Sequence, residues 1–193
     1  MKIASVAAMA AWALGAAVAA AAPLKLTPAE PQPAGLKPGL AVKYAYLGPP
    51  PQKIQSMSMA LQMLNSAKPG QPLKGLDYRD TTEGDPVLTH SQAFNVAAAI
   101  TGFIRFDAPG VYEIETWSND GIAARIGGAM VGDFDGRQGC EANQRVEVEV
   151  PKAGWYPLDF AYFQKYGSSC LMMKWGKSGE KLKWVPDEVF GWK

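Results

Sequence analysis

Apolar and polar residues alternate with a period of two along much of the chain. Tyr112, Ile114, Thr116 and Ser118 fall on one face of a segment whose other face carries Glu113, Glu115 and Trp117, the pattern of a half-buried strand. Ile122, Ala124 and Ile126 repeat it, with Arg125 outward. Further strands are predicted over residues 41–47, 94–106, 130–134, 145–150, 156–166 and 169–175. Turn residues bound them: Ala108-Pro109-Gly110, Asn119-Asp120-Gly121, Gly128, Gly136, Ala153-Gly154 and Gly167. A single helical signal interrupts the series. Ile54, Met57, Leu61 and Leu64 recur at spacings of three and four, and Lys68-Pro69-Gly70 supplies a stop. Met57, Met59 and Met63 read as adaptable packing in that helix. Many short strands with regular turns define an all-β fold, an antiparallel, jelly-roll-like β-sandwich with one short helix.

The N-terminus departs from this pattern. Lys2 precedes an uncharged, Ala-rich stretch over residues 3–22 that ends in small residues, the layout of a cleaved signal peptide. Residues 1–22 are therefore assigned to a signal, and the mature chain is expected to be secreted or periplasmic, with no membrane span after cleavage. Residues 23–38 are Pro-rich, which blocks helix and sheet ladder and favours an extended, solvated linker. The folded domain is then expected over residues 39–193.

Charge narrows the partners. Lys and Arg number 19 against 18 Asp and Glu, and no basic run interleaves with aromatics, which argues against nucleic acid. Export gives the cysteines a meaning: in an oxidising compartment, Cys140 and Cys170 are expected to form a structural disulfide.

Catalytic patterns are thin. His90 is the sole histidine and has neither a nucleophile motif nor a second histidine for zinc. Asp133 and Asp135 resemble a calcium loop, but the remaining positions of an EF-hand are missing, and a solvated turn is the expectation. Their spacing does not set the carboxylate separation that glycoside hydrolysis needs. The chain reads as a non-enzyme.

One run is more specific. Gly110-Val111-Tyr112-Glu113-Ile114, followed by Ser118-Asn119-Asp120-Gly121 and an alternation ending in Gly127-Gly128, resembles the central signature of the protective-antigen-fourteen domain family. Ala153-Gly154-Trp155-Tyr156 onward to Trp175, and the tail Val185-Pro186-Asp187-Glu188, are similar to the family's second half. The resemblance implies a carbohydrate-binding β-sandwich of the kind found in adhesins and inserted in glycosidases. It also implies a Ca²⁺ site on two adjacent aspartates joined by a cis peptide, with a second loop completing the sugar site. Here those positions are Asn119 and Asp120, so an amide replaces one carboxylate and the cation loses a formal charge. The second loop corresponds to residues 164–168, which lack a carboxylate and carry Lys165.

Two readings of these residues stand side by side. In one, Trp117, Asn119, Asp120, Gln164 and Tyr166 form a ligand site for an extracytoplasmic glycan, Ca²⁺-assisted through Asn119 and Asp120 and with Trp117 as a stacking platform. In the other, Asn119-Asp120-Gly121 is a plain Asx turn, Trp117 is covered, and the fold is a scaffold for an envelope protein partner.

Overall fold

The computed structural model describes residues 21–193; the expected signal peptide lies almost wholly outside the described residues. Among the described residues, fourteen strands and one α-helix follow in chain order. They are β1 (Leu24–Lys25), β2 (Lys37–Pro38), β3 (Ala41–Tyr46), α1 (Met57–Leu64), β4 (Lys68–Pro69), β5 (Asp77–Tyr78), β6 (Val96–Phe106) and β7 (Gly110–Ser118). Then come β8 (Ile122–Ile126), β9 (Ala129–Phe134), β10 (Glu141–Val150), β11 (Gly154–Gln164), β12 (Leu171–Lys177), β13 (Lys183–Trp184) and β14 (Phe190–Trp192). They form two stacked sheets. One has the order β1-β10-β7-β12-β13, with β5 also on β12; the other runs β2-β14-β6-β11-β8-β9, with β3 on β6 and β4 on β3.

The expected β-sandwich is thus present, and the period-two alternation is what builds it. Ile114 and Thr116 of β7, Val148 of β10 and Met173 of β12 are buried, as are Ile100 and Ile104 of β6, Ile122 and Ile126 of β8, and Phe160 and Tyr162 of β11. Inward faces of both sheets therefore fill one core, the arrangement that buries most apolar area per strand. Phe106 ties the far end together, its ring in edge contact with Tyr112 and Tyr156 and tilted on Trp175.

The helix lies outside the sandwich, on the β6–β11–β8 sheet. Ala97, Ala123 and Ala161 give that outer face a shallow floor, into which Ile54, Met57 and Ala60 pack beside Phe163. Ser56 caps the helix by accepting from the Met59 amide at 3.2 Å. Asp135, expected to sit in a solvated turn, is exposed just past β9 and also accepts from the Met57 amide at 2.5 Å. A carboxylate at a helix N-terminus meets unpaired N–H groups and the positive end of the dipole, so Asp135 anchors the helix.

The Pro-rich segment corrects its expectation as a solvated linker. Leu24–Lys25 pairs in parallel with Val148 and Glu149, an exception to the antiparallel rule. Leu26 is 1% exposed, the Ala29 amide donates to Trp155 O, and the Gln32 amide group brackets the Trp155 backbone. Proline removes N–H groups but leaves the chain extended, and an extended segment can satisfy the open edge of β10. Leu26 adds about 2 kcal/mol of burial.

Candidate functional site

Three loops meet at one end of the sandwich: the β7–β8 turn, the segment between β9 and β10, and the β11–β12 loop. Asn119, Arg137, Gln138, Gly139, Tyr166, Gly167 and Ser168 line a cavity of about 400 Å³ between them. The Cys140–Cys170 disulfide, with Cα atoms 5.8 Å apart, clamps the second loop to the third.

The turn is built tightly. Gly121 has no room for a side chain, since a Cβ there would stand 2.1 Å from Phe163 Cε1. Asp120 takes the left-handed region at φ +60°, which an Asx residue tolerates better than most. The Asn119–Asp120 peptide is trans; the cis bonds among the described residues are Glu30–Pro31 and Pro50–Pro51. The Ser118 hydroxyl donates to Asp120 O at 2.8 Å, and Gln138 Nε2 donates to Ser118 O at 2.9 Å. Asn143 Nδ2 donates to the same hydroxyl at 3.0 Å.

The polar atoms of the turn are unevenly satisfied. Asp120 is fully buried; one carboxylate oxygen accepts from the Lys165 amide at 2.6 Å, and the other, Oδ1, has no partner. Asn119 Nδ2 donates to Ser168 Oγ at 3.3 Å, while its Oδ1 is also buried without a partner. Buried orphan acceptors are costly, and an amide oxygen and a carboxylate oxygen are the kinds of donor a hard cation takes. Asn119 and Asp120 thus suit Ca²⁺ in kind. In number they are few: no cluster of three or more His, Cys, Asp or Glu side chains able to hold a metal occurs among the described residues, so water or ligand hydroxyls would complete the shell.

Burial raises the Asp120 carboxyl above the usual carboxylate range, outweighing the Lys165 amide bond and the charges of Arg137 and Lys165. The fold therefore holds a proton there more tightly than the unfolded chain does. That contribution is full below the unfolded pKa and is lost as pH rises through the higher folded value. Without divalent ions, stability is expected to fall across that interval, and Asp120→Asn to flatten the slope, in urea titrations at a series of pH values.

The remaining residues named from sequence are dispersed. Tyr166 lines the cavity, its hydroxyl donating to Gln52 O at 2.7 Å and its ring edge-on to Phe94 at 5.7 Å. Gln164 is fully buried, accepting from Tyr162 and donating to Tyr166 O and Ser168 O. It shapes the loop from beneath. Trp117 does not line the cavity. It lies on the outer face of the β7–β12 sheet, its Nε1 donating to Glu115 at 2.7 Å, with the Lys174 ammonium 4.5 Å from its ring centre. Trp184 stands edge-on to it at 6.2 Å, with Arg79 stacked beyond.

Arg137, Gln138 and Gly139 did not emerge from the motifs, although a signal for them exists. If Cys140 bonds Cys170, the residues just before each are neighbours, which brings 137–139 to 166–168.

The model of the PA14 domain family matches residues 79–188 of this chain. With the two-sheet fold described above, the chain belongs to the PA14 domain family. Among solved structures it is similar to the PA14 domain of the MpAFP antifreeze protein, with TM-score 0.68 and 13% identity, covering 83% of this chain and 93% of that one. A PA14 sugar-binding domain from an RTX adhesin gives TM-score 0.64 and 13% identity over 81% and 99%. The A domain of a subtype-switched epithelial adhesin from Candida glabrata, in complex with β-lactose, gives 0.62 and 13% over 88% and 94%. No curated protein matches in sequence.

Proposed function

We propose that this protein is an exported, non-catalytic carbohydrate-binding module that recognises an extracytoplasmic glycan through the loops at one end of the sandwich. The observation that carries the reading is the pair of partnerless buried oxygens, Asn119 Oδ1 and Asp120 Oδ1, in the turn whose Asn119 lines a cavity with Tyr166 and Ser168. Sugar recognition uses such a combination: a few fixed polar atoms for hydroxyls and an aromatic ring for the apolar face. Related folds that carry sugar, including the adhesin domain with β-lactose, support it. Ca²⁺, when bound, would be held by these two oxygens and would supply positive charge toward sugar hydroxyls. Lys165 and Arg137 oppose it electrostatically, so the affinity expected is that of a weak extracellular site, roughly 10⁻⁴–10⁻³ M.

A glycan array with Ca²⁺ and again with EDTA tests this. Tyr166→Ala is expected to weaken binding about tenfold or more, as loss of a stacked aromatic does, and Trp117→Ala to leave it nearly unchanged. Asp120→Asn is expected to abolish any Ca²⁺ dependence. Binding lost in Trp117→Ala but kept in Tyr166→Ala would move the site to the outer sheet face. No binding under either condition would favour a scaffold for an envelope protein, with the half-buried Trp117–Trp184 face as its contact.

A further inference from the structure

Arg137 on the loop-end cavity, with Lys165 and Lys53 near its Tyr166 wall, supplies more positive charge than recognition of a neutral sugar calls for. Arg137 lines the cavity and is exposed. The Lys165 ammonium leans to Gln55 Oε1 at 3.4 Å, and that of Lys53 sits 6.0 Å from the Tyr166 ring centre. Among the described residues none of the three forms an ion pair, although Arg79, Arg105, Arg145, Lys152 and Lys174 all do. Asp120 is fully buried. Glu141, whose Oε1 comes within 3.7 Å of a Cβ placed on Gly139, borders the same loop and offsets one of the three charges. With net formal charge +1 over the whole chain, this concentration of unpaired cations is local.

A guanidinium offers a planar fork of donors that matches a carboxylate, and a charge-assisted pair is about twice as strong as a neutral hydrogen bond. Asn119 Oδ1, buried and without a partner, needs a donor such as a hydroxyl. Tyr166, held by its hydroxyl on Gln52 O, adds a ring edge or face.

Resting on the glycan-binding reading above, we propose that this cavity takes an acidic saccharide, a uronic-acid sugar. Its carboxylate pairs with Arg137, a ring hydroxyl donates to Asn119 Oδ1, and the ring packs against Tyr166. Lys53 and Lys165 add long-range attraction that salt screens.

The test uses the whole protein in EDTA, with galacturonate, glucuronate and mannuronate oligomers, each beside its fully methyl-esterified counterpart, by calorimetry. The ester keeps the ring and removes the charge. At least one acid form is expected to bind about tenfold more tightly than its ester, and Arg137→Gln to bring the acid form down to the affinity of the ester measured in the same variant. Raising salt is expected to weaken the acid form alone. Equal affinity for acid and ester, or a preference retained in Arg137→Gln, overturns the proposal. Binding of neutral array glycans without any acid preference overturns it while the glycan reading stands. Absence of binding to every neutral and acidic sugar, with Ca²⁺ as well as in EDTA, sinks both.

Discussion

Replacing Cys140 and Cys170 together by serine is expected to lower the free energy of unfolding by about 3–4 kcal/mol, the loop-closure entropy released in an unfolded chain when a cross-link of this span is lost. The two residues are 30 apart in sequence, and the chain between them includes all of β10 and β11. Stability is only part of the effect. Cys170 O accepts from the Asn119 amide at 3.1 Å, and Cys140 follows Gln138 and Gly139 directly, so the bond fixes two of the three loops that line the cavity. The double variant is therefore expected to lose glycan binding about tenfold at temperatures where it remains folded, because loosened loops must be ordered on binding. Urea titration and calorimetry check the two parts separately. A reducing agent is expected to bring the native protein to the same midpoint and to leave the variant unmoved. Unchanged binding in a folded variant would mean that the loops hold their geometry without the bond.

Much of the sandwich was legible because strand faces obey a fixed period. The alternation over 112–118 and 122–126 places Ile114, Thr116, Ile122 and Ile126 inward, and each is buried. The same logic put Trp117 on the opposite face, where it lies. Alternation says which face a residue takes, not what crosses that face afterwards. The cover on Trp117 comes from Lys174, two residues along β12 from its register partner Met172, and from Trp184 on a strand of two residues, too short to leave a periodic trace. Residues 23–38 were misread for a related reason. Proline content reports backbone restriction, whereas the position of the segment depends on Leu26 and on an edge of β10 left open some 120 residues later.

The site was legible in part. The Ser118–Gly121 motif pointed to the turn that carries the partnerless oxygens, since a turn chemistry of this kind is local. Gln164 shows the limit of a loop argument: a polar residue at the end of a long strand looked available, yet three hydrogen bonds hold it beneath the loop. Arg137 belongs to a stretch without pattern, and in the sequence only the cysteine pair hints that it lies near Tyr166. Asn95 carried no signal at all, although much of the site's support converges on it.

Asn95→Ala is expected to cost about 3 kcal/mol and to weaken ligand binding with Asn119 and Tyr166 both intact. Asn95 is fully buried and sits at φ +56°, where alanine is strained by about 1 kcal/mol. Its Nδ2 donates to Gly48 O at 3.0 Å and to Gln52 O at 2.8 Å, and its Oδ1 accepts from the Ile54 amide at 3.3 Å. One side chain thereby pins the whole segment between β3 and α1. That segment in turn holds Tyr166, whose hydroxyl bonds the same Gln52 carbonyl, while the Asn95 amide donates to Lys165 O at 3.1 Å. Truncation leaves Gly48 O without its donor and Gln52 O with the Tyr166 hydroxyl alone, and frees that carbonyl to drift. Asn95→Asp separates the two contributions. It retains the tolerated backbone and the acceptor for Ile54 but sets a carboxylate oxygen against two carbonyls, so it is expected to destabilise at neutral pH and to recover in part on acidification, as a protonated carboxyl regains one donor. Hydrogen exchange of the residue 48–54 and 164–168 amides is the direct readout: both segments are expected to lose protection together in Asn95→Ala. Loss confined to residues 48–54 would show that the Tyr166 loop stands without them, and that its rigidity comes from Gln164 and the disulfide alone.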